Sequence, residues 1–137
     1  PQLTIFENGT DGINYDQMIT DTGRFFSTCE HHTLPFFGSY FFGYIPNKKI
    51  LGLSKVARVV DYFSSKLQIQ ERLVKEITDE LEQILQPRGI ALILKGRHLC
   101  KEMRGIKQYQ GEMTTSEMRG VFRNKPEVRS EFLSIIK

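Results

Sequence analysis

Cysteine and histidine are scarce in this chain, with two of the first and three of the second in 137 residues. In a secreted protein the two cysteines would raise the question of a disulfide, but nothing here suggests secretion. The first apolar stretch is interrupted by Glu7, Asn8 and Gly9, so no basic-then-apolar leader can be drawn. No apolar run approaches the roughly 20 residues that cross a bilayer, so no membrane association is expected and the cytoplasm is the expected location. No charge of one sign dominates either. Nineteen Lys and Arg against 16 Asp and Glu leave a formal +3, mixed along the chain, which argues against a nucleic-acid footprint. Repeats, low-complexity tracts and linkers are absent, and one domain over residues 1–137 is expected.

What is present is ordinary for a globular protein: 39% hydrophobic, 26% charged and 11% aromatic residues. Residues 14–46 are rich in Tyr, Phe, Ile and Thr and predict two or three strands, with turn signals at Asp21-Thr22-Gly23 and Pro46-Asn47. The run from Gly38 to Ile45 is the clearest strand and carries aromatics on both faces. From Ser54 the period changes. Val56, Val59, Val60 and Phe63 share one face of a helix that Ser54 could cap. Leu73, Ile77, Leu81, Ile84 and Leu85 form the apolar stripe of a second helix, stopped by Pro87-Arg88-Gly89. Ile90 to Leu94 reads as a buried strand, residues 105–122 as one or two more, and Pro126 could open a last helix ending near Ile136. Strands, two helices, strands and a helix predict an α+β fold with helices packed on one face of an antiparallel sheet.

The scarce residues fall into two short clusters. Cys29-Glu30-His31-His32 sets a soft thiolate and an imidazole three residues apart, the spacing that grips a borderline-soft ion such as Zn²⁺. Cys100 stands at the end of another predicted strand, two residues after His98. If those strand ends meet, Cys29, His32 and Cys100 supply three ligands and leave the fourth tetrahedral position to water, the pattern of a catalytic site. An arbitrary cytosolic cysteine is more often a buried, inert thiol, and a lone histidine more often faces solvent or fills a core hydrogen bond. Here every His and Cys adjoins the candidate metal position, so the metal reading is preferred, with His31 and His98 placed to move protons.

These residues are also recognisable. Phe26 to His32, followed by Leu34-Pro35-Phe36-Phe37-Gly38, closely resembles the zinc motif of the GTP cyclohydrolase I family. The resemblance continues in order through Tyr44-Ile45-Pro46-Asn47, Gly52 to Arg58, Gln68 to Leu73, His98-Leu99-Cys100, Met103-Arg104-Gly105 and Thr115 to Phe122. It implies zinc ligation by Cys29, His32 and Cys100, and proton transfer by His31 and His98. It implies that Gln70 and Glu71 hold the guanine edge, where a carboxylate can accept from N1–H and the exocyclic amine together. Ser54, Lys55, Arg58 and Arg104 match positions that meet ribose and triphosphate, with Ser54 assigned to proton transfer on the sugar. A helix N-terminus with two cations on its first turn suits an anion.

The implied reaction is hydrolysis of GTP at guanine C8 with release of formate. Ribose rearrangement and ring closure then give 7,8-dihydroneopterin triphosphate, a precursor for folate, pterin or 7-deazaguanine pathways. The implied architecture is the tunnelling fold in a ring-forming homo-oligomer, two stacked pentamers making a decamer with sites at subunit interfaces. Oligomerisation would also cover a sheet with aromatics on both faces and open edges. Most members carry a helical N-terminal region ahead of this stretch, and on the resemblance the chain is expected to be a short form lacking it. Two other readings stand beside this one. A tunnelling-fold relative could reduce a nitrile or stop after formate release, and a zinc-stabilised protein could bind nucleotide without turnover.

Overall fold

A computed structural model describes residues 5–52, 54–99 and 111–137. Its centre is a five-stranded sheet built from β2 (Ile19–Cys29), β3 (Pro35–Ile45), β5 (Leu67–Gln68), β6 (Gly89–His98) and β7 (Met113–Gly120), in the order β5-β2-β3-β6-β7. The four long strands pair antiparallel, and only the two-residue β5 runs parallel to its neighbour β2. A separate two-stranded ladder joins β1 (Ile5–Glu7) to β4 (Lys49–Leu51).

Strand alternation sorts the side chains into two layers. Phe25, Phe36, Tyr40, Phe42, Tyr44, Ile90, Leu92 and Leu94 face the helices α1 (Lys55–Ser64) and α2 (Gln70–Leu85), closing the main core. In α1 the spacing of Val56, Val59 and Val60 turns all three inward. In α2 Leu73, Ile77, Leu81 and Leu85 do the same, with Ile84 only half-buried at the edge of the stripe. Truncating Leu73, Ile77 or Leu81 to Ala should cost roughly 2–5 kcal/mol, the usual range for fully enclosed aliphatics. The helix ends where Gln86 takes a left-handed conformation at φ 47° and Pro87 follows. The expected α+β fold, with two helices on one face of the sheet, is thus present.

Two features of the fold differ from the sequence-based expectation. The turn expected at Asp21-Thr22-Gly23 does not form, since these residues lie inside β2 opposite Phe42, Phe41 and Tyr40. Gly23 is there for space: a Cβ on it would lie 2.6 Å from the Tyr40 ring, and Thr22 Oγ1 donates to the Tyr40 carbonyl at 2.8 Å. The last helix also departs from the one-face arrangement. α3 (Val121–Asn124) and α4 (Pro126–Ile135) bring Phe122 and Phe132 onto Ala91 and Ile93, which alternate with the main-core residues and so mark the opposite face. That face keeps Phe26 68% exposed, stacked on Phe37 at 6.0 Å. Of the strands expected over residues 105–122, β7 occupies the described part, and residues 105–110 lie outside the described residues.

Candidate functional site

β2 ends in a one-turn loop that explains why Cys-x-x-His works as a unit. The Thr33 N–H donates to the Cys29 carbonyl at 2.8 Å and the Cys29 N–H donates to the Leu34 carbonyl at 2.8 Å. Residues three apart on such a turn face the same way, and Cys29 Sγ stands 4.0 Å from His32 Nδ1. Thr33 closes the turn in the left-handed region at φ 55°. The Glu30 N–H donates to the Gln68 carbonyl at 2.8 Å, which ties the loop to β5. Arg72 of α2 reaches Glu30 at 2.6 Å. That hydrogen bond and the Arg72 charge hold the Glu30 carboxyl below its usual range. Cys29 is buried, while His31 and His32 are exposed with ring centroids 6.4 Å apart.

His98 reaches the same end of the sheet from another strand. Ser27, Phe36 and His98 form one row across β2, β3 and β6 on the helix-facing layer, and Cys29 lies two residues beyond Ser27. The imidazole lies flat on the Phe36 ring, centroids 4.6 Å apart and planes within 4°. Its Nε2 is 2.8 Å from Gln70 Oε1. Gln70 opens α2 as a buried residue, and Glu71 follows it, exposed, in the helix's first turn. The structure therefore gathers Cys29, His31, His32, Gln70, Glu71 and His98 at one end of the sheet.

Ser54, Lys55 and Arg58 sit elsewhere in the same chain. Ser54 lines a small cleft with Ile19, Thr20, Asp21, Tyr44 and Leu51, at the opposite end of β2 from Cys29. Eight residues of strand separate Asp21 from Cys29, on the order of 25 Å at about 3.3 Å per residue. Ser54 occupies the N-cap position of α1 but makes no side-chain capping bond. It takes φ 66°, a left-handed conformation that is costly for a residue with a Cβ. The capping role expected of it is therefore not performed. Lys55 is half-buried and Arg58 exposed on the helix's first turn. Cys100 and Arg104 lie outside the described residues. Among the described residues no three His, Cys, Asp or Glu side chains gather into a metal-binding cluster.

Phe36 and Gln68 are site residues that the sequence reading passed over. Gln68 is fully buried, donates to the Phe63 carbonyl at 2.9 Å and to Glu76 at 2.7 Å, and accepts from Arg72 Nε at 3.0 Å. Only the β3–β6 register could have revealed the Phe36–His98 stack, and residue spacing along the chain carries no trace of it.

The family model of GTP cyclohydrolase I matches residues 1–137. The chain belongs to the GTP cyclohydrolase I family. It is 46% identical over 122 residues to GTP cyclohydrolase 1 of Deinococcus radiodurans, covering 89% of this chain and 56% of that protein. It is 37% identical over 137 residues to GTP cyclohydrolase 1 of Helicobacter pylori strain G27, covering 100% of this chain and 76% of that protein. The chain thus spans little more than half the length of the Deinococcus relative. The apo crystal structure of the archaeosine synthase QueF-Like superposes with a TM-score of 0.63 at 14% identity, over 75% of this chain and 93% of that one. At that identity the likeness is one of fold, and it places the chain among the tunnelling folds. No helix among the described residues is long and apolar enough to cross a membrane.

Proposed function

We propose that this chain carries the catalytic site of a GTP cyclohydrolase I. In this reading it hydrolyses GTP at C8 with release of formate and then rearranges the ribose to give 7,8-dihydroneopterin triphosphate. Family membership supports the reaction class. The observation that carries the site is the meeting of the Cys29–His32 turn with His98 at one end of the sheet, on two segments that the sequence holds far apart.

The donor set fits zinc. A thiolate and an imidazole bound to one tetrahedral ion stand about 3.5 Å apart, close to the 4.0 Å between Cys29 Sγ and His32 Nδ1. Cys29 and His32, with Cys100, would hold the ion, which when bound acts as a Lewis acid and lowers the pKa of water towards about 7. The remaining work falls to the protein's own side chains. His98, clamped between Phe36 and Gln70, keeps a fixed ring plane for proton transfer. His31, exposed beside His32, is the second proton carrier. Glu71 accepts from guanine N1–H and the exocyclic amine. Lys55, Arg58 and Arg104 pair with the triphosphate, and Ser54 exchanges a proton with the opened sugar.

Lys55 and Arg58 stand at the far end of the sheet from Cys29 in one chain, so this reading calls for a second copy. A homo-oligomer that sets the α1 N-terminus of one copy against the Cys29 end of the next would complete the site. The exposed Phe26–Phe37 face agrees with burial in such an assembly. Two stacked pentamers remain the proposed form.

GTP labelled with ¹³C at C8 tests the reaction. The label should leave as formate from the zinc-loaded protein, and His98→Ala should abolish the release. Retention of the label in purine, with GTP bound, would favour a nucleotide-binding protein without turnover.

A further inference from the structure

Gln70 is 1% exposed and reaches from the start of α2 beneath the sheet. Its Nε2 donates to the Met113 carbonyl at 2.8 Å and the Leu94 carbonyl at 3.1 Å, and lies 3.1 Å from Thr115 Oγ1. Backbone carbonyls only accept, so the amide nitrogen must face them. The flipped amide would press Oε1 against two carbonyl oxygens. The amide orientation is therefore decided by its surroundings, and Oε1 is left pointing at His98 Nε2, 2.8 Å away.

An amide oxygen can only accept, so His98 Nε2 must donate. The neutral imidazole then carries its proton on Nε2 and its lone pair on Nδ1. The Phe36 ring, parallel to the imidazole within 4°, fixes the remaining rotation. Room for this clamp comes from Gly96, where a Cβ would lie 2.6 Å from Gln70 Oε1. The side chain that the family resemblance sets at the guanine edge thus has both ends of its amide engaged inside the protein. Reaching a ligand would mean giving up bonds to two backbone carbonyls and to His98.

We propose that Gln70 is a positioning residue that fixes the tautomer and ring plane of His98, rather than a side chain that holds guanine. This rests on the reading of His98 as a proton carrier. The structural half, the tautomer, can be tested without turnover.

The test uses zinc-loaded protein labelled with ¹⁵N-histidine, observed by long-range ¹H–¹⁵N correlation where the rings are neutral. Three histidines give three ring patterns, and His98→Ala identifies the one that matters. His98 should show the Nε2–H tautomer. In Gln70→Met, which keeps length and loses the acceptor, that pattern should collapse toward a mixture. kcat should fall roughly 10- to 100-fold, the usual effect of removing the partner that orients a reactive side chain, with KM for GTP nearly unchanged. A proton on Nδ1 in the unsubstituted protein would overturn the proposal, even if Gln70→Met failed to fold. So would a Gln70→Met protein with higher KM, unchanged kcat and an unchanged tautomer, which would return Gln70 to the guanine edge. An unsubstituted protein with the Nε2–H pattern but no GTP turnover would sink the enzyme reading and leave the positioning role standing.

Discussion

Cys29 Sγ and His32 Nδ1 face each other at 4.0 Å across a single turn, closed by the Thr33 N–H donating to the Cys29 carbonyl. On the proposed zinc site, two donors of this kind at this spacing would hold a metal without rearrangement of the backbone. Purified protein should therefore contain about one zinc per chain by elemental analysis. Cys29→Ser and His32→Ala should each weaken zinc binding by at least roughly 100-fold, since loss of outer partners alone costs 10- to 100-fold. Substitution of the neighbouring His31 by Ala should leave zinc content intact while lowering turnover.

Ser54, proposed above to exchange a proton with the opened sugar, stores backbone strain. Its φ of 66° costs a non-glycine residue about 1–2 kcal/mol, while glycine costs about 0.4–1 kcal/mol through the unfolded chain. The first effect is the larger. Ser54→Gly should raise stability by roughly 0.5–1 kcal/mol in a thermal or urea melt and strongly reduce pterin formation. A destabilised Ser54→Gly protein would mean that its hydroxyl, rather than strain, governs the local energetics.

Burial pushes the Tyr40 hydroxyl up to about 12, with the charges of Asp21 and Asp61 adding to the rise. The folded state therefore favours the neutral phenol. That contribution is complete below the usual value near 10 and is lost as pH rises from there to about 12. Urea melts across this window should show a decline on the order of 2 kcal/mol attributable to Tyr40. Tyr40→Phe should show a shallower alkaline decline.

Two ends of one sheet cannot serve one substrate within a single chain. Lys55→Ala and His98→Ala proteins should each be nearly inactive alone. After dissociation and reassembly as an equal mixture, about a quarter of the interfaces would carry both native residues, because neighbouring copies contribute different surfaces to a ring contact. Activity should return to about that fraction. No recovery from a mixture shown to exchange subunits would place both residues in one chain's site and contradict the shared-site reading.

Much of the architecture was legible because it rests on periodicity. The valines of α1 and the Leu and Ile stripe of α2 reported their buried face directly, and Pro126 marked the start of α4. The false turn at Asp21-Thr22-Gly23 shows the limit of composition. Residues common in turns also serve a strand when a neighbour needs the space, as Tyr40 does over Gly23. The Cys29–His32 pair was readable because its partners lie within one turn of chain. The Phe36–His98 stack and the Gln70 clamp depend on register and on how α2 sits beneath the sheet, and neither leaves a spacing signal. Residue type alone suggests Ser54 as a helix cap, but the left-handed backbone it adopts leaves no signal in residue type.

Turnover of GTP by the zinc-loaded protein, with formate and dihydroneopterin triphosphate quantified together, tests the central claim most directly. The account predicts both products in equal amounts, abolished by His98→Ala. Zinc and GTP bound with neither product formed would contradict it.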